Sequence, residues 1–213
     1  HELSTKNENH EVWFHRVGTD QSQVQLVYRD SAHPQRFHNV TTSDDEKYSF
    51  LTISDRATGK MGNSLFFKAS GSREFTPLVS EVTNSSYRLI DAIGSKFYIE
   101  TNAGAPNGKV VVVDAAHPEA SNWKEILPEK PEPLQSASIA GGKLFGSYLK
   151  DVTTRTYVYD LNGKLENEVT FPGPGAAGGF DGNLDDKEVF YTFSSFNYPP
   201  TIFKYAVASK KSE

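Results

Sequence analysis

The stretch 134-LQSASIAGGKLFGSYLKDVTTRTYVYDLNGKLENEVTF-171 holds four short runs that favour extended backbone, each closed by a turn signal. Leu134 to Ile139 leads into Gly141-Gly142, and Lys143 to Leu149 leads into Asp151. Thr156 to Leu161 leads into Asn162-Gly163, and Leu165 to Phe171 leads into Pro172-Gly173. Glycine and asparagine reach positive φ at little steric cost, and proline arrives with φ already near a turn value. Aromatic and β-branched residues between such turns fit a pleated, half-buried surface. The stretch therefore predicts a four-stranded antiparallel meander, with Asn162-Gly163 as its strongest hairpin signal.

The unit recurs. A lysine followed by an aromatic-rich run begins at Lys47, Lys96, Lys143 and Lys187, at intervals of 49, 47 and 44 residues. A further strand-like run follows each one: Leu65 to Phe67, Val110 to Asp114, Tyr157 to Asp160, and Ile202 to Tyr205. Four strands in a period of roughly 40–50 residues is the pattern of β-propeller blades; a jelly roll and a long β-sandwich are the alternatives. The chain is thus expected to be all-β, a partial propeller of about four four-stranded antiparallel blades. Residues 1–10 read as a lead-in and 11–34 as the outer strands of a preceding blade. Blades follow at 35–82, 83–130, 131–173 and 174–208, with 209–213 as a tail. The last blade reads as three strands, GGFDGN (178–183), EVFYTFSSF (188–196) and TIFKYAV (201–207), for 17 in all. PEKPEP (128–133) reads as a linker, and His117 to Lys124 as at most one helical turn.

Composition narrows the function classes. The formal net charge is −5 and no basic cluster exceeds Lys210-Lys211, so no nucleic-acid partner is expected. No apolar run approaches the roughly 18–20 residues of a spanning helix, and no membrane partner is expected. Cysteine is absent, which removes disulfides and thiolate chemistry and leaves periplasm and cytoplasm both open. The start at His1, without methionine, reads as a piece of something longer.

The sequence holds no G-x-S-x-G elbow, and its six histidines (1, 10, 15, 33, 38 and 117) show no H-E-x-x-H spacing. Asp44, Asp45 and Glu46, and again Asp185 and Asp186, occupy turn positions and lack a D-x-D-x-D-G pattern; they read as solvated turns. Gly173, Gly175, Gly178 and Gly179 precede no helix and so form no phosphate loop. No catalytic residue, metal or cofactor is assigned.

Two stretches carry a closer likeness. WFHRVGTDQSQVQLVYRD (13–30) resembles the H-x-L-G-T-x-Q-S-x-D-x-L-V-Y segment of prolyl oligopeptidases, with Val24 at an expected acid. DLNGKLENEVTFPGPGAAGGFDGNLDDKEVFYTFSSFNYPPTIFKYAV (160–207) resembles the end of the same family's propeller, in its L-P-G-x-G, F-Y-x-F-T-S-F and P-x-T-I-Y-x-Y-D runs. Ser194 and Ala206 depart from that pattern. Between them, LTISDRATGKMGNSLFFKA (51–69) is similar to the family's loop after the second strand of a blade.

The resemblance implies blades four to seven of a seven-bladed propeller, plus the outer edge of blade three. It implies a serine endopeptidase that cuts after proline in short peptides, with a Ser-Asp-His triad on a separate α/β-hydrolase domain outside this chain. The propeller would filter substrates by size. It further implies that the loop Asp55 to Gly62 faces the interior and that Arg56 binds substrate. The expected partners are a proline-containing oligopeptide and the chain's own hydrolase domain, and open blade edges are expected to self-associate. The rival reading is a stand-alone β-propeller interaction module, although the WD, Gly-His and kelch signatures are absent.

Overall fold

The structure, a computed structural model, describes residues 7–213 apart from the side chain of Arg56. The described residues divide into two compact units, one ending at Tyr87 and the other starting at Arg88. The lead-in read at 1–10 lies partly outside the described residues.

In the first unit, β1 (Glu11–Phe14) and β2 (Gln25–Arg29) form an antiparallel pair. A 3-10 turn at Gln21–Gln23, capped by Asp20, connects them. A four-stranded antiparallel sheet follows in chain order: β3 (Arg36–Thr42), β4 (Tyr48–Asp55), β5 (Ser64–Ala69) and β6 (Thr76–Val79). The turn into β4 is built by Asp45, whose carboxylate accepts from Ser43 Oγ at 2.8 Å and from the Lys47 N–H at 3.1 Å. With Lys47 also paired to it, the Asp45 carboxyl is held down at about 2.

The second unit holds three such sheets. The first comprises β7 (Tyr87–Ile93), β8 (Lys96–Thr101), β9 (Lys109–Asp114) and β10 (Lys124–Leu127). The second comprises β11 (Leu134–Ala140), β12 (Lys143–Lys150), β13 (Thr153–Tyr159) and β14 (Leu165–Glu168). The third comprises β15 (Ala176–Gly179), β16 (Glu188–Ser195), β17 (Tyr198–Ala206) and β18 (Lys211–Ser212). The expected class is found: all-β, in four-stranded antiparallel blades.

The Lys-aromatic repeat marks the second strand of every four-stranded sheet. In β8 and β12 the core residues run consecutively, Phe97-Tyr98-Ile99 and Leu144-Phe145, instead of alternating with exposed ones. A strand covered on both faces reads this way. β16 differs. Val189, Tyr191 and Phe193 are buried while Glu188, Phe190 and Thr192 between them are exposed. The buried face continues as a stack of rings, with centroids 5.2 Å apart for Phe145–Phe180, 4.6 Å for Phe180–Tyr191 and 5.4 Å for Tyr191–Phe203.

Two expectations need correction. The last sheet has four strands where the sequence suggested three, so the described chain has 18. Lys210 takes φ +59°, which turns the chain back so that Lys211 and Ser212 pair with Ala206 and Tyr205. A two-residue strand of lysine and serine carries no hydrophobic pattern to announce it. The first strand of that sheet is Ala176–Gly179, earlier than the GGFDGN run. Gly179 and Phe180 both adopt positive φ (+105° and +70°), which ends the strand where the sequence had it beginning.

Candidate functional site

The loop implicated by Arg56 joins β4 to β5 and is fastened at both ends. It begins with a 3-10 turn, Arg56–Thr58, capped by Asp55, whose Oδ1 accepts from the Ala57 N–H at 3.0 Å. Thr58 Oγ1 donates to the Asp55 carbonyl at 3.1 Å, and Gly59 closes the turn in the left-handed region at φ +67°. An acceptor before a turn and glycine after it is the ordinary way to satisfy such ends.

Asp55 is nearly buried, and its second oxygen, Oδ2, accepts from Arg36 Nε at 2.9 Å. The same guanidinium donates through Nη1 to Asp30 Oδ2 at 3.1 Å, and His33 Nδ1 lies 2.8 Å from that oxygen. The Arg36 hydrogen bond holds the Asp55 carboxyl below the usual carboxylate range. Burial pushes Asp30 up, but His33 and Arg36 outweigh it and leave that carboxyl lowered too.

The far end is tied by backbone. The Met61 N–H donates to Asn84 Oδ1 at 3.3 Å, Gly62 N–H to the Thr83 carbonyl at 3.0 Å, and Asn63 N–H to the Ser85 carbonyl at 3.2 Å. A Cβ on Gly62 would stand 1.9 Å from the Ser85 oxygen, so only glycine fits. Asn63 then clasps Tyr87, accepting its N–H at 2.9 Å and donating to its carbonyl at 3.0 Å.

Arg56 is thus the first residue of a pinned turn; its side chain lies outside what the structure describes. From the sequence Asp55 and Gly62 were only the bounds of the loop, and Arg36 and Asn63 were given no role in it. Asp55 and Gly59, two turn-forming types flanking R-A-T, were a usable local signal for the capped turn. Its tie to Arg36, 19 residues away, was not.

In the second unit the same connection, from second to third strand, is made by residues 102–108, 151–152 and 196–197. Val152 and Phe196 stand fully out in solvent at two of these tips. Together with Pro174 and Ala176 they border an apolar hollow of about 540 Å³. Asp151 and Val152 both take positive φ, +48° and +62°, a costly conformation for a β-branched residue.

The whole chain, residues 1–213, matches the family described as "Prolyl oligopeptidase, N-terminal beta-propeller domain". The chain belongs to the prolyl oligopeptidase family. It is 35% identical over 212 residues to the prolyl endopeptidase of Elizabethkingia miricola, covering 99% of this chain and 29% of that protein. It is 28% identical over 221 residues to the dual function macrocyclase-peptidase POPB of Galerina marginata, covering 30% of it. This prolyl oligopeptidase segment therefore spans less than a third of the length of the curated relatives it matches.

Among solved structures, one from a study of two prolyl endopeptidases and the role of inter-domain dynamics superposes with a TM-score of 0.87 at 36% identity, over 95% of this chain and 29% of that one. Apo prolyl oligopeptidase B from Galerina marginata gives 0.87 at 26% identity, over 97% and 30%. Oligopeptidase B from Leishmania major, at 15% identity and a TM-score of 0.77, shares the fold.

Proposed function

We propose that this chain is the propeller segment of a serine endopeptidase that cleaves after proline in short peptides, and that it gates a separate α/β-hydrolase domain by size. The main support is the 35% identity to a prolyl endopeptidase along 99% of the chain. The sequence of this segment lacks a nucleophile elbow, so the acyl-transfer chemistry is assigned to the remainder of the parent enzyme.

Arg56 is assigned to substrate binding. A cation at the head of a turn fixed by Asp55 and Gly62 is presented on a stiff support, which lowers the ordering cost of binding. Its role is to hold a peptide carbonyl or carboxylate, not to take part in bond breaking.

The test uses the full-length parent enzyme and one proline-containing cleavage sequence in two settings. As a free oligopeptide it is expected to be cut after proline, with inhibition by a serine-directed phosphonate. Displayed on a loop of a stably folded domain it is expected to resist. Equal cleavage in both settings would refute size filtering, and phosphonate-insensitive cleavage would refute the serine assignment.

A further inference from the structure

The segment 128–133, PEKPEP, crosses from β10 to β11 and is bound along its length. Glu129 Oε1 accepts from the Asn107 N–H at 2.7 Å, and Asn107 Nδ2 donates to the carbonyls of Lys130 at 3.0 Å and Pro131 at 3.1 Å. Glu132 pairs with Lys150 at 3.1 Å, and the Pro133 carbonyl accepts from Leu149 N–H at 3.0 Å. Asn107 belongs to the β8–β9 loop, so this strap ties that loop to the sheet of β11–β14.

At the centre of the strap, Lys130 points its ammonium at three tyrosines. Nζ lies 4.2 Å from the ring centroid of Tyr148, 4.3 Å from that of Tyr157 and 5.4 Å from that of Tyr159. It also donates to the Tyr159 hydroxyl at 2.7 Å. All three rings fall within the roughly 6 Å over which a ring face attracts a cation. Tyr148 and Tyr159 are almost wholly buried. Gly146 sits beneath them: a Cβ there would lie 3.2 Å from the Tyr148 ring and 3.4 Å from that of Tyr159. Burial pushes the Tyr159 hydroxyl up to about 12 although the Lys130 hydrogen bond opposes it. The phenol therefore stays neutral beside the cation, and the arrangement is a cation–π box, not an ion pair.

We propose that Tyr148, Tyr157 and Tyr159 form an ammonium-binding cage whose ligand is the chain's own Lys130, and that its occupancy holds the 128–133 strap and, through Asn107, the β8–β9 loop. The ligand class is a compact organic cation, so a cage emptied by K130A should accept tetramethylammonium.

The experiment compares the 213-residue chain with K130M, K130A and K130R by thermal unfolding and by hydrogen exchange of the 102–108 segment. K130M keeps the alkyl stem and removes the charge; it is expected to melt several degrees lower and to exchange faster at 102–108. K130R keeps a cation over the rings and is expected to stay close to the parent. Tetramethylammonium chloride, against sodium chloride at equal ionic strength, is expected to raise the melting temperature of K130A but not of the parent. K130M indistinguishable from the parent in both readouts overturns the proposal, as does a tetramethylammonium effect of equal size in parent and K130A. If K130M fails to fold while K130R folds, the need for the charge is upheld. If neither folds, Y157A decides: unchanged exchange at 102–108 in that variant overturns the proposal.

Discussion

Replacing Asp55 tests whether the β4–β5 loop is held the way its geometry says. D55A removes two things at once: the cap on the Ala57 N–H and the acceptor for Arg36 Nε. Loss of such a cap costs about 0.5–2 kcal/mol. Loss of a hydrogen bond to a charged, largely buried partner costs about 1.5–3 kcal/mol. Arg36 keeps Asp30 as a second acceptor, which limits the penalty of leaving it unpaired. The expected destabilisation of the first unit is therefore about 2–3.5 kcal/mol, the lower half of the summed range. D55N separates the parts, because asparagine can still cap while its amide nitrogen faces the guanidinium badly. It should lose only the Arg36 contribution, about 1.5–3 kcal/mol.

The same carboxyl gives a pH signature. Its folded pKa is depressed, so its stabilisation is present above the ordinary aspartate range and is lost as pH falls through the lower folded value. Urea denaturation at neutral and acidic pH, with hydrogen exchange at Ala57, measures both effects. D55A within about 0.5 kcal/mol of the parent at neutral pH would refute the reasoning.

Gly62→Ala should cost at least about 1–3 kcal/mol from overpacking alone, because the new Cβ meets the Ser85 oxygen at 1.9 Å and the Thr83 oxygen at 2.7 Å; an unchanged melting temperature contradicts this. His38 is buried beside His10, Tyr28, Asp30 and Arg36, and its Nδ1 lies 2.8 Å from the His10 carbonyl, while Nε2 has no hydrogen-bond partner among the described residues. Desolvation lowers its pKa below 6.5, so its stabilisation is complete above about pH 6.5 and declines as pH falls below that; melting temperature against pH for the parent and H38F should diverge there, and parallel curves refute it. Phe190 and Ile202 lie exposed on one face of the β15–β18 sheet, 56% and 72% accessible, and I202K should weaken self-association in sedimentation velocity. A strictly monomeric parent at high concentration would remove that expectation.

What the sequence could say about this fold depended on how local the signal was. Lys96 and Lys143 open their strands, while the Lys47 and Lys187 repeats place their strands one residue later, because aromatic runs after a polar turn are a nearest-neighbour property. Asn162-Gly163 does close a hairpin between β13 and β14, but only Gly163 takes positive φ, +86°, and Asp160 builds the turn by accepting from Asn162 and Lys164. The tight turn with two successive positive-φ residues that Asn-Gly usually signals is found instead at Gly141-Gly142, whose glycines allow it, and at Asp151-Val152, where the side chains argue against it. The strain there is imposed by the strands on either side, which no local rule registers. At the candidate site, the Asp-to-Gly frame of the turn was readable. The Arg36 tether and the stop against Ser85 arise from residues that only the folded sheet brings together.

Steady-state kinetics of Arg56→Ala in the full-length enzyme test the proposal that the β4–β5 loop presents Arg56 to substrate. An interaction made equally in ground and transition states raises KM and leaves kcat unchanged. The KM for a proline-containing peptide is expected to rise roughly tenfold, the factor for the loss of about 1.4 kcal/mol, with kcat within about twofold of the parent. An unchanged KM, or a fall in kcat with KM intact, would contradict it.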